Sequence, residues 1–147
     1  MVQQQTAVQI GLPRDPGWQV GVRKTLAIAP EDAWEFLLSE KIVRIWLGAK
    51  FENTLQAGSV FFLDDGTQIN ITVFNPGSYL SLLYQPRDYP QPTFLQVCLI
   101  PSGENTTFAF HQEFLPDREA RQERKFHFQQ VLDDFECLLD NEFEFSS

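Results

Sequence analysis

Cysteine is scarce in this 147-residue chain: Cys98 and Cys137 stand alone, without a CxxC spacing. Two such thiols cannot build a disulfide framework, and both are read as free. No apolar run approaches the roughly 20 residues that a membrane span needs. The first seven residues are Gln-rich and lack the basic start and apolar stretch of a signal peptide. These absences predict a soluble, cytoplasmic protein with no membrane among its partners. Basic residues are few as well, eleven against twenty acidic ones, for a formal charge of −9. Such a balance repels phosphate backbones and anionic headgroups at long range, so no nucleic acid is expected as a partner. The two histidines, His111 and His127, have neither nearby Cys nor the paired spacing of a metal site, and no metal or other cofactor is expected. Asp64-Asp65-Gly66 lacks the carboxylate ladder of a calcium loop and reads as a hairpin turn. A Gly-rich phosphate loop, a GxSxG elbow and a Cys/His pair in recognisable context are all missing.

What the chain does have is bulk, above all 14 Phe. Rings of this size fill a core or line a cavity, because each buries on the order of 150–250 Å². Residues 1–18 mix Gln, Gly and Pro without a period and read as a flexible N-terminal arm, leaving residues 19–147 as one domain. Val20, Val22, Thr25, Leu26 and Ile28 mark a first strand that stops at Pro30. A short helix follows with Trp34, Leu37 and Leu38 on one face. Ser39 caps a second one, whose Ile42, Ile45 and Trp46 share a face before Gly48 ends it. Five strong strands and a weaker one near Phe51 lie between closely spaced turns, which implies antiparallel pairing. In one of them Ile69, Ile71 and Val73 alternate onto a single side. After Pro116 the period changes, and Phe128, Val131, Leu132, Phe135, Leu138 and Leu139 form a stripe on a long helix from the cap Asp117 to about Asn141.

Strand, two short helices, antiparallel strands and a long final helix is the order of an α+β helix-grip fold, a curved antiparallel sheet wrapped round a C-terminal helix. The sequence resembles the START-like (SRPBCC) superfamily, and within it the branch named after the C-terminal domain of the heat-shock-protein ATPase activator. Ala29-Pro30-Glu31-Asp32-Ala33-Trp34 is similar to that branch's opening of the first helix, and Ile45-Trp46 to the close of the second. Ala57-Gly58-Ser59, Asn75-Pro76-Gly77-Ser78-Tyr79-Leu80 and Asn105-Thr106-Thr107-Phe108 resemble its strand starts. Phe128 with Leu132 and Phe135 resembles its final helix. The sequence departs from the pattern at Asn75 for Pro, Asn105 for Gly and Phe128 for Trp. The resemblance implies a scaffold more than an activity, since such folds serve ligand binders, cyclases and co-chaperones.

On that scaffold a hydrophobic cavity between sheet and helix is lined by Leu80, Leu82 and Tyr84, by Leu95, Val97 and Leu99, and by Phe108, Phe110 and Gln112. Phe128, Leu132 and Phe135 face them from the helix, and Trp46 and Phe51 stand where the resembling family has its cavity mouth. The alternative for each of these side chains is plain packing in a filled core. Tyr84 and Gln112 are the polar points of this face, able to orient a ligand or to bond within the protein. Arg121 or Arg124, in the basic start of the last helix, would meet a ligand carboxylate if it overhung the mouth. Elsewhere in that stretch Asp117 pairs with Arg121 four residues on. The leading expectation is a non-enzymatic domain that holds a small apolar or aromatic ligand. A co-chaperone-like domain with a protein partner is the alternative. An enzyme of the cyclase or hydrolase kind ranks last, because no acid/base set is visible.

Overall fold

The structure, a computed structural model, describes residues 17–48 and 56–141. Most of the expected arm, and Phe51 with its weak strand, lie outside the described residues. The elements run β1 (Trp18–Leu26), α1 (Pro30–Leu38), α2 (Glu40–Trp46), β2 (Val60–Phe62), β3 (Gln68–Asn75), β4 (Tyr79–Gln85), β5 (Thr93–Ser102), β6 (Asn105–Leu115) and α3 (Arg118–Asn141). The six strands form one curved antiparallel sheet in the order β1-β6-β5-β4-β3-β2. The helix-grip fold is therefore present, with α3 packed on the sheet.

Local chemistry accounts for most element ends. Pro30 opens α1, where its missing N–H is no loss, and Glu31 and Asp32 face the positive helix start. Gly48, at φ +80°, takes the left-handed conformation that follows a helix end, and its amide reaches back to the Val43 carbonyl at 3.2 Å. Asp117 caps α3, accepting from the Ala120 amide at 2.8 Å. Ser39 behaves differently from a cap. Its hydroxyl donates back to the Phe36 carbonyl at 2.8 Å, so it closes α1 and makes no side-chain bond to α2.

Three expected faces turn slightly. In α1 the fully buried residues are Ala33, Phe36 and Leu37, with Trp34 and Leu38 at the margin. In α2 Val43 takes the buried place expected for Ile45. In β3 the register with β4 shifts between Ile71 and Val73, so Ile69, Ile71 and then Phe74 pack towards the core. An extra residue flips every side chain beyond it.

The volume between sheet and α3 is occupied by rings. Phe36, Phe108 and Phe135 meet edge to face with centroids 5.4–6.0 Å apart. Phe110 stacks on Phe128 at 4.8 Å and lies 6.1 Å from Trp46. Leu80, Leu82, Leu95, Val97, Leu99 and Leu132 complete this buried cluster. A smaller cluster of Val20, Leu115 and Ala120 ties the start of α3 to the β1–β6 end of the sheet.

Candidate functional site

Next to this packed cluster a half-open cleft of about 360 Å³ lies between the end of α2, the β2–β3 turn, β4 and the middle of α3. Its apolar walls include Ile45, Trp46, Leu47 and Leu63; its polar groups are Arg44, Asp64, Asp65, Tyr84, Arg124 and His127. Of the residues expected at a cavity, Trp46 and Tyr84 line this cleft. Leu80, Leu82, Leu95, Val97, Leu99, Phe108, Phe110, Phe128, Leu132 and Phe135 lie in the buried cluster, and Gln112 is buried on the same sheet face.

Each wall has a local reason for its position. The Trp46 indole N–H donates to the Leu37 carbonyl at 3.1 Å, which uses a free acceptor at the end of α1 to fix the ring. The β2–β3 turn closes through Leu63 and Gly66. The Leu63 amide bonds the Thr67 carbonyl at 2.8 Å, and Gly66 stands at φ +92° under the Arg87 side chain. A side chain at position 66 would collide with that arginine. The Thr67 hydroxyl and amide donate to Asp65 and hold its carboxyl below the usual carboxylate value.

Arg124 is the least ordinary group in the cleft. Only 8% of it is exposed, and it sits one turn before Phe128 on the buried stripe of α3. Its Nε donates to the Gln112 side-chain oxygen at 2.9 Å and its Nη1 to the Tyr84 hydroxyl at 3.3 Å. The guanidinium lies over two rings, 4.5 Å from the centroid of Tyr84 and 4.8 Å from that of Phe128. Gln112 is itself anchored, donating to the Thr93 hydroxyl at 2.8 Å, which in turn donates to the Tyr84 carbonyl at 2.6 Å. The two polar points of the sheet face thus serve first to hold an arginine. Arg121, by contrast, donates to the Gln19 carbonyl at 2.8 Å and lies away from the cleft. Its expected partner Asp117 is engaged as the helix cap.

His127, set aside by sequence reasoning, is on the cleft wall. Its Nε2 meets the Trp46 carbonyl at 3.3 Å, and since a carbonyl can only accept, that nitrogen carries the proton. Burial, reinforced by the nearby positive charge of Arg124, pushes its pKa below 6.5 against the opposing pull of that carbonyl. The neutral ring is favoured. His111 is on the other side of the sheet, 3.1 Å from Gln19 and 3.7 Å from Glu113. Among the described residues no group of three or more His, Cys, Asp or Glu could hold a metal ion, and no helix is long and apolar enough to cross a membrane.

Sheet and grip helix together define an α+β domain with the helix-grip fold. Among solved structures the chain is similar to the protein MLL2253 from Mesorhizobium loti, at 23% identity over 85% of this chain and 98% of that one, with a TM-score of 0.70. It is similar to PFC0360w, an HSP90 activator from Plasmodium falciparum, at 17% identity over 84% of this chain and 97% of that one, TM-score 0.68. CalU16 from Micromonospora echinospora superposes with a TM-score of 0.71 at 14% identity, covering 84% and 77% of the two chains. Identities this low speak for the fold alone. No family model and no curated protein matches the sequence.

Proposed function

We propose that the protein is a small-molecule binding domain whose ligand has an aromatic or apolar body and sits in the cleft beside α3. The observation that carries this reading is the cleft of about 360 Å³, in which Ile45, Trp46, Leu47 and Leu63 stand beside six polar side chains. Small-molecule sites run from roughly 300 to 1,000 Å³. The expected cavity residues then divide in two: Tyr84 meets the ligand, while the buried cluster, with Trp46 at its edge under the cleft, forms a rigid backing.

The test is a titration with naphthalene-based and fatty-acid probes, followed by NMR at the Trp46 indole N–H and the His127 ring. Binding should shift both signals, and Ile45→Trp, which fills the cleft from α2, should weaken it. If no probe moves either signal, the ligand reading fails.

A second reading, a co-chaperone-like protein-interaction domain, is favoured by β2, which ends the sheet among the described residues. On β2 the side chains of Val60 and Phe62 are 53% and 65% exposed. Likeness to an HSP90 activator supports the same reading at the level of fold. Failure of every probe, together with loss of a protein partner on Phe62→Lys, would put this second reading first. An enzyme of the cyclase or hydrolase kind has less support, since the one histidine in the cleft has no carboxylate paired with it among the described residues.

A further inference from the structure

From Arg124 we infer that the cleft's ligand is a small monocarboxylate, its carboxylate held by this guanidinium and its aromatic or apolar body against Ile45 and Leu63. The inference rests on the reading of the cleft as a ligand site and names the chemistry of what enters it.

A buried cation needs a counter-charge, and among the described residues Arg124 has none. It is 92% buried, yet among the described residues it forms no ion pair. Its partners are an amide oxygen, a phenol and two ring faces, all formally neutral. Guanidinium carries five N–H donors, and among the described residues only two are engaged. The others belong to the terminal nitrogens, whose fork geometry matches two oxygens of one planar anion. Arg124 is at the same time prevented from leaving. Gln112 grips Nε, Thr93 grips Gln112, and the Tyr84 and Phe128 rings clamp the plane of the guanidinium. An arginine needed only for solubility would be free to swing into water. This one is fixed, and it lines a cleft.

The remaining walls narrow the class of anion. Asp64 and Asp65 border the same cleft, so a dianion such as a phosphate monoester meets more repulsion there than a monoanion does. Arg44, the other cation on the cleft wall, is paired with Glu40 at 2.9 Å, and the neutral His127 adds no further positive charge to offset this. Gln112 acts as a positioning residue, since it orients Arg124 from behind.

The experiment compares 2-naphthoate, 2-naphthamide and 2-naphthyl phosphate on the wild-type protein by calorimetry, with NMR at the Trp46 indole to locate binding. Naphthoate should bind at least about tenfold more tightly than the isosteric amide, and the phosphate should bind less well than naphthoate. Gln112→Glu should then bring naphthoate down to the level of the amide. It puts a carboxylate where Arg124 Nε now finds a neutral oxygen, and circular dichroism checks that the fold persists. If naphthoate and the amide bind equally in the cleft, the ligand site stands and the carboxylate assignment falls. A phosphate that binds best overturns the monocarboxylate class, as does naphthoate affinity unchanged by Gln112→Glu. Absence of binding by all three probes overturns the cleft reading and this inference together.

Discussion

Thr72 occupies the point where β3 slips register, and its hydroxyl is buried without a hydrogen-bond partner among the described residues. A buried polar atom in this state costs about 1–3 kcal/mol of desolvation, while a methyl of the same shape costs nothing comparable. Thr72→Val should therefore raise stability by about 1 kcal/mol, read as a higher urea midpoint with an unchanged slope. A lower midpoint would mean that the hydroxyl has a partner after all. His127 makes a prediction of the opposite kind, because its environment is tuned against charge. Its folded-state pKa lies below the unfolded value of 6.5, so the unfolded chain binds the proton first as pH falls. The contribution of the neutral ring is complete above 6.5 and is lost as pH drops through the depressed folded value. The stability gap between wild type and His127→Gln should shrink over that window, which thermal melts at a series of pH values would reveal.

Among the elements, α3 lays its buried stripe on the sheet, and Phe135 is the centre of that stripe, touching Phe36, Phe108 and Phe110. Phe135→Ala should cost about 3–5 kcal/mol, seen as a large fall in denaturation midpoint. Removing the helix cap is a milder change: Asp117→Ala should cost about 1 kcal/mol. The fold was legible in the sequence because these elements are strongly periodic and bounded by recognisable caps and turns. The stripe on α3 begins before Phe128. Counting back by fours from Phe128 reaches Arg124 and then Ala120, both buried, and this spacing separates Arg124 from Arg121. What periodicity could not supply was the shift at Thr72, since a single extra residue in a ladder leaves no mark on residue types, and it moves Phe74 into the place expected for Val73. The cleft was hidden for a similar reason. It is assembled from the ends of α2, the β2–β3 turn, β4 and α3, and only tertiary packing sets Trp46, Asp64, Tyr84 and His127 side by side. His127 carried no local sign of its place because its partner is a backbone carbonyl.

At the scale of the whole molecule, nine net negative charges must coexist on one small surface. Lys24 opposes this self-repulsion at a point where two layers meet. From the edge strand β1 it reaches α3, donating to Glu136 at 2.7 Å and to Asp133 at 3.2 Å. The hydrogen bond to Glu136 and then that to Asp133 raise its pKa above 10.5. A raised folded-state value means that the contribution is fully present below 10.5 and disappears as pH climbs through the higher folded value. The groups are exposed to solvent, so salt also weakens the interaction. Lys24→Met, which keeps the apolar stem and removes the charge, should lower stability at neutral pH and low salt. The deficit should contract when salt is raised to about 1 M, where the Debye length falls to roughly 3 Å. It should contract again in alkaline buffer, where the wild-type lysine has itself lost its proton. Urea midpoints of the two proteins across salt and pH would measure this. A deficit that stays constant across both series would show that Lys24 holds β1 to α3 through its stem and not through its charge.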